Sequence, residues 1–198
     1  MPERAARTGR PRSGRIDRAV IASTIRLLRE RGYQGLTIEG VAADAGVGKP
    51  AVYRRYRSKA DLVADALLEL APTERPELPD EPGAALRALV HATAAALATP
   101  GSMTLIGSLL AQEQDDPELV ATVRRRLFEP QQRHVRAVLE SARRAGVVRR
   151  DAALQPVIDL LFGALLARGV LGERPTRRWL DGLLDVAWHG IAAPESTR

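Results

Sequence analysis

Residues 37–57, TIEGVAADAGVGKPAVYRRYR, decide the fold. Two short segments of helical apolar spacing meet at a three-residue turn, Gly46-Val47-Gly48. Thr37 is placed to cap the first, 38–45, whose Ile38, Val41, Ala42 and Ala45 fall on one face. The second runs from Lys49 to Tyr56 and tolerates Pro50 in its first turn. A reversal this tight needs a positive φ, which Gly46 adopts without a Cβ penalty. Val47 is apolar and suits the wedge between the two helices. Helices joined in this way form a helix-turn-helix. The second would display Lys49, Ala51, Arg54 and Arg55 outward, with Val52 and Tyr56 four apart on one face. A helix of that kind enters a major groove N-terminus first.

Spacing alone equally allows an ordinary helical hairpin, and charge separates the two readings. The chain carries a formal net charge of +6, unevenly placed. Residues 1–60 hold fourteen Arg or Lys against five Asp or Glu, a net of +9. Residues 61–198 hold sixteen against nineteen, a net of −3. A basic head on a mildly acidic body calls for a polyanion at the head only. The chain's three tyrosines, Tyr33, Tyr53 and Tyr56, all lie in this head, where hydroxyls beside arginines suit phosphate contacts. A membrane surface is the rival polyanion, but the head lacks a continuous amphipathic basic helix.

The rest of the chain reads as helices. Residues 1–12 carry Arg4, Arg7, Arg10 and Arg12 without apolar spacing, the pattern of a disordered basic arm. Ser13 is placed to cap a helix to about Arg31, closed by Gly32. Ser58 and Asp61 form a capping box opening a fourth helix, 58–70. Pro72, Pro76, Pro79 and Pro82 mark a linker, the one compositional boundary. Helices follow over 84–99, 102–114, 117–145, 156–171 and 175–192, with Pro130 expected to kink the third of these. The expected class is all-α: a three-helix helix-turn-helix head at 13–57, a connecting helix at 58–70, and a helical bundle over 71–198 for ligand binding and dimerisation.

Several function classes are excluded or disfavoured. With no cysteine there is no disulfide framework, thiolate metal site or cysteine nucleophile. The three histidines, His91, His134 and His189, have no metal-ligand spacing, so neither metal nor cofactor is expected. No nucleophile elbow or phosphate loop appears, which argues against an enzyme. A nucleoid-coating protein would spread its basic surface along the chain. No segment reads as a secretory signal or a membrane span, so a cytoplasmic protein without membrane partners is expected.

Residues 32–63, GYQGLTIEGVAADAGVGKPAVYRRYRSKADLV, strongly resemble the DNA-binding head of the tetracycline-repressor (TetR) family. The shared positions are Thr37, Ala42, Ala45, Gly46, Val47, Lys49, Val52, Tyr53, Tyr56, Ser58, Lys59 and Leu62. Gly48 departs from the usual Ser or Thr and removes a hydroxyl able to cap the recognition helix. The resemblance implies an all-helical homodimer that represses transcription from double-stranded operator DNA and is released by a small molecule. A ligand-independent regulator or an activator is the alternative. The resemblance also implies phosphate contacts for Thr37, Tyr53, Tyr56 and Lys59. Lys49, Pro50, Ala51 and Arg54 would face the groove, and Arg55 either.

In the body, residues 160–167 are apolar at every angle around a helix, which implies burial on all sides, most simply against a partner subunit, with a central place in a monomer core as the alternative. Leu161, Leu165, Leu184 and Trp188 are the expected dimer contacts. The expected ligand site is lined by Met103, Ile106, Leu109, Phe128 and Phe162, with His91 and His134 as polar anchors. The ligand's identity is open.

Overall fold

The structure is a computed structural model and describes residues 11–70 and 77–193. The basic arm therefore falls, but for its last two residues, outside the described residues. Every regular element among these is helical, and the one strand-like pairing is an isolated bridge between Val148 and Ala192. The elements are α1 (Pro11–Gly35), α2 (Ile38–Asp44), α3 (Lys49–Tyr53), α4 (Lys59–Leu70), α5 (Pro82–Ala98), α6 (Ser102–Leu110), α7 (Pro117–Val123), α8 (Glu129–Arg144), α9 (Leu154–Val170) and α10 (Arg177–His189).

Side-chain capping fixes several of the starts. Thr37 Oγ1 accepts from Gly40 N at 3.0 Å and opens α2. Ser58 Oγ accepts from Asp61 N at 3.1 Å ahead of α4. Asp116 Oδ1 accepts from Leu119 N at 3.0 Å and opens α7 with Pro117 as its first residue. The first helix differs from expectation: α1 begins at Pro11, upstream of Ser13, and continues to Gly35 past a break at Gly32, whose φ is +66°. The expected disturbance at Pro130 takes the form of a π-helical turn, Arg124–Phe128, just before α8. Proline has no N–H to give to the carbonyl one α-turn back, so the ladder slips by a residue there. Glu129 N accordingly bonds to Arg124 O.

The chain divides into two compact units. One comprises residues up to Glu69 together with Ser108–Thr122; the other comprises Leu70–Gly107 and the chain from Val123. The first unit buries Val20 and Leu27 of α1, Val41 of α2, Val52 of α3, Leu62 of α4 and Leu119 of α7. In the second, α5, α8, α9 and α10 surround a core that includes Leu86, Leu139, Ile158 and Leu161.

The all-apolar segment of α9 splits into an inner and an outer face. Leu161 and Leu165 are 1% and 3% exposed and Leu184 of α10 is 4% exposed. These three expected dimer contacts are core residues of the chain itself, because they lie on the sides of α9 and α10 that meet the unit's own helices. Trp188 is half-buried against the same core. The outer face of α9 carries Leu160, Gly163, Ala167 and Val170, all exposed, with Leu160 at 44%. On α10 the exposed apolar side chain is Val186, at 67%.

Candidate nucleic-acid interface

The turn before α3 is built as its sequence requires. Gly46 has φ +65°, and Val47 N returns to Ala42 O at 2.9 Å. Gly48 caps α3 in an extended conformation with no side-chain bond. Lys49, Pro50 and Arg54 are exposed and Ala51 is half-buried. Arg54 has no partner among the described residues. Thr37 uses its oxygen to accept from Gly40 N, which leaves its proton free to donate to a phosphate.

Two residues stand less outward than expected. Tyr56 is buried, so its ring packs the head core rather than standing on the surface. Arg55 ion-pairs with Asp17 of α1, and its Nη1 donates to Ala51 O at 2.9 Å. It ties α3 to α1 instead of reaching outward.

A carboxylate not singled out from sequence stands among the outward residues. Glu39, in the first turn of α2, accepts from the Tyr53 hydroxyl at 2.9 Å through Oε1. The same oxygen lies 4.0 Å from Lys49 Nζ. Its own backbone N–H, then Tyr53 and Lys49, hold this carboxyl below the usual range, and Glu39 in turn raises the Tyr53 hydroxyl. An acid in a first helical turn is so common next to the helix dipole that sequence gives no reason to look further.

Lys59, the first residue of α4, is half-buried. Its ammonium sits 3.9 Å from the centroid of the Tyr33 ring. Burial lowers its pKa, and Asp116 opposes that shift. The Tyr33 hydroxyl donates to Asp116 Oδ2 at 2.5 Å, and Gln34 bonds Gln112 beside it. The segment after α6 is thereby fastened to the end of α1.

The expected ligand residues do not converge. His91 lines a cavity of about 520 Å³ between α5 and α10, together with five alanines of α5 and with Arg87 and Arg177. Asp181 pairs with Arg87 and lies 3.8 Å from His91 Nε2. Met103 lines a second cavity of about 200 Å³, bounded by Leu97, Leu165 and Gly169. The two share Ala94, Ala98 and Pro175. Ile106, Leu109, Phe128, His134 and Phe162 line neither: Phe162 packs on the core, Leu109 is buried in the unit that holds the head, and His134 is exposed on α8.

Two helices set across a glycine turn, with exposed cationic and small residues outward on the second, define a helix-turn-helix DNA-binding protein. Among the described residues no cluster of three His, Asp or Glu is placed to hold a metal, and no single helix is long and apolar enough to cross a membrane. Residues 20–66 match the profile of the bacterial regulatory proteins of the tetR family, and residues 82–187, over half of the chain, match the tetracyclin repressor-like C-terminal domain. The chain belongs to the TetR family of transcriptional regulators and regulates transcription by binding DNA.

It is 28% identical over 194 residues to the HTH-type transcriptional regulator YdeS of Bacillus subtilis, covering 97% of this chain and 98% of that protein. It is 29% identical over 170 residues to the DNA-binding transcriptional repressor TetR of Mycobacteroides abscessus, covering 84% and 88%. A TetR transcriptional regulator from Agrobacterium tumefaciens has the same fold, with a TM-score of 0.71 at 24% identity over 91% of this chain and 96% of that one.

Proposed function

We propose that the protein is a homodimeric repressor that occupies a two-fold operator in the bacterial cytoplasm and leaves it when a small molecule enters the body. The observation that carries the dimer is the open apolar face of α9. Leu160, Gly163, Ala167 and Val170 recur at helical spacing, and the space beside Gly163 is empty. A second copy presents the same face, so an isologous pairing covers both. Two copies present two recognition helices, which suits a palindromic site. The repressor name of a relative supports the sign of regulation.

The adjoining cavities support ligand release. Met103 lines the smaller one from α6, and the chain beyond α6 carries Gln112 and Asp116 into their bonds with Gln34 and Tyr33. A molecule that displaces Met103 would pull on that fastening. Lys59 and the basic arm 1–12 would add phosphate contacts.

Light scattering at micromolar concentration should give a dimer. Sequencing of genomic DNA bound by the protein should give a palindrome. A thermal-shift screen of apolar and cationic metabolites should then yield compounds that lower operator affinity. Compounds that stabilise the protein yet leave operator affinity unchanged would end the ligand-release reading for those molecules, while DNA binding stands.

A further inference from the structure

We propose that Glu39 selects sequence, by accepting a hydrogen bond from the exocyclic amine of a cytosine beside the N-terminus of α3. This rests on α3 entering the major groove. The starting point is a shared carboxylate: Glu39 Oε1 receives the Tyr53 hydroxyl at 2.9 Å and lies 4.0 Å from Lys49 Nζ. Both partners belong to the face that meets DNA. A tyrosine hydroxyl has one proton. While Tyr53 gives it to Glu39 it has none to give to a phosphate. On DNA the phosphates compete for that proton and for the Lys49 ammonium, and Glu39 loses its hold on both.

A carboxylate left among phosphates is repelled unless it finds a donor. In the major groove the bases offer two donors, the N4 amine of cytosine and the N6 amine of adenine. Adenine presents the acceptor N7 beside its amine, which repels a carboxylate, whereas cytosine has no acceptor on its own groove edge next to N4. Guanine O6 and N7 and thymine O4 are all acceptors and are rejected. Glu39 therefore does two things. It shields Tyr53 and Lys49 in the free protein, and it penalises any site that lacks the amine.

The test is selection from a pool of randomised duplexes, followed by affinity measurement on the selected duplex and on single-base variants of it. The proteins are wild type, Glu39→Ala, Glu39→Gln and Tyr53→Phe, each checked by thermal melting; Glu39 is exposed enough that its variants should fold. Wild type should select cytosine at one position of each half-site. Glu39→Ala should lose that preference, lowering discrimination there by about 5- to 150-fold, and should bind mismatched duplexes more tightly than wild type. Glu39→Gln should move the preference toward adenine, which an amide pairs through N6 and N7. Tyr53→Phe should weaken all duplexes alike and keep the cytosine. The proposal is overturned if both Glu39 variants select the wild-type sequence with undiminished discrimination, or if Tyr53→Phe erases the preference as Glu39→Ala does, since Glu39 would then only position Tyr53. A wild type that selects no sequence at all overturns the groove-facing role of α3 along with it.

Discussion

The hydroxyl of Tyr33, at the end of α1, donates to the carboxylate of Asp116, 83 residues further along the chain, at 2.5 Å. Asp116 uses its other oxygen to cap α7. One side chain thus starts a helix and anchors it to the head. Removing the hydroxyl in Tyr33→Phe leaves the cap intact and takes away a partly buried hydrogen bond to a charged group. Urea unfolding should show a loss of about 1.5–3 kcal/mol.

Alkaline titration gives the same bond a pH signature. Burial, and then Asp116, hold the Tyr33 hydroxyl far above the ordinary tyrosine value of about 10. A group raised on folding stabilises the native state fully below its unfolded pKa, and that contribution is lost as pH rises toward the folded value. Wild-type stability should therefore fall between about pH 10 and 12 more steeply than that of Tyr33→Phe, measured by urea unfolding at each pH.

Arg55 and Asp17 tie α3 to α1. Asp17 is substantially exposed, so screening holds the pair to about 1 kcal/mol or less. Asp17→Asn should lower the melting temperature slightly and weaken binding to all duplexes equally, with base preference unchanged. A changed preference in duplex selection would return Arg55 to the groove-facing set.

If the proposed dimer forms through the exposed apolar side chains of α9 and α10, outer and inner substitutions should act differently. Leu160→Asp and Val186→Asp should yield folded monomers by light scattering, with normal helical circular dichroism. Leu165→Ala removes a buried side chain and should cost about 2–5 kcal/mol in unfolding experiments while the dimer, where folded, persists.

Gly169 is packed against Met103 so closely that an added Cβ would lie 2.6 Å from its sulfur. Gly169→Ala must push that flexible side chain aside. The expected result is a destabilisation of about 1–3 kcal/mol, read by thermal melting, and weakened response to any compound that acts through the Met103 cavity.

The head was legible because its signals are local. Thr37, Ser58 and Asp116 each cap the helix that begins next to them, and Gly46 turns the chain, all within a few residues. The α9 contacts were not legible, because a segment apolar at every position has no periodicity to tell inside from outside. Leu160 and Leu161 are indistinguishable as letters, and only packing against α5, α8 and α10 separates them. The Arg55–Asp17 and Tyr33–Asp116 pairs depend on folding distant segments together, and nothing near Arg55 or Tyr33 announces a carboxylate. The cavities are hard to read from sequence for a related reason: His91 and Met103 line them, but much of the rest of the lining is alanine, whose small size leaves space without marking it.

The recognition helix is a single turn whose hold on the head comes from a few inward attachments. Val52 and the adjoining Tyr56 are buried, Arg55 is ion-paired to α1, and Gly48 contributes no side-chain bond. Lys49, Pro50 and Arg54 project outward and leave the core untouched. Such a helix is an exchangeable cassette. New residues at these positions can readdress the protein to another DNA sequence while the body stays as it is, so gene duplication can multiply addresses without rebuilding the rest of the chain.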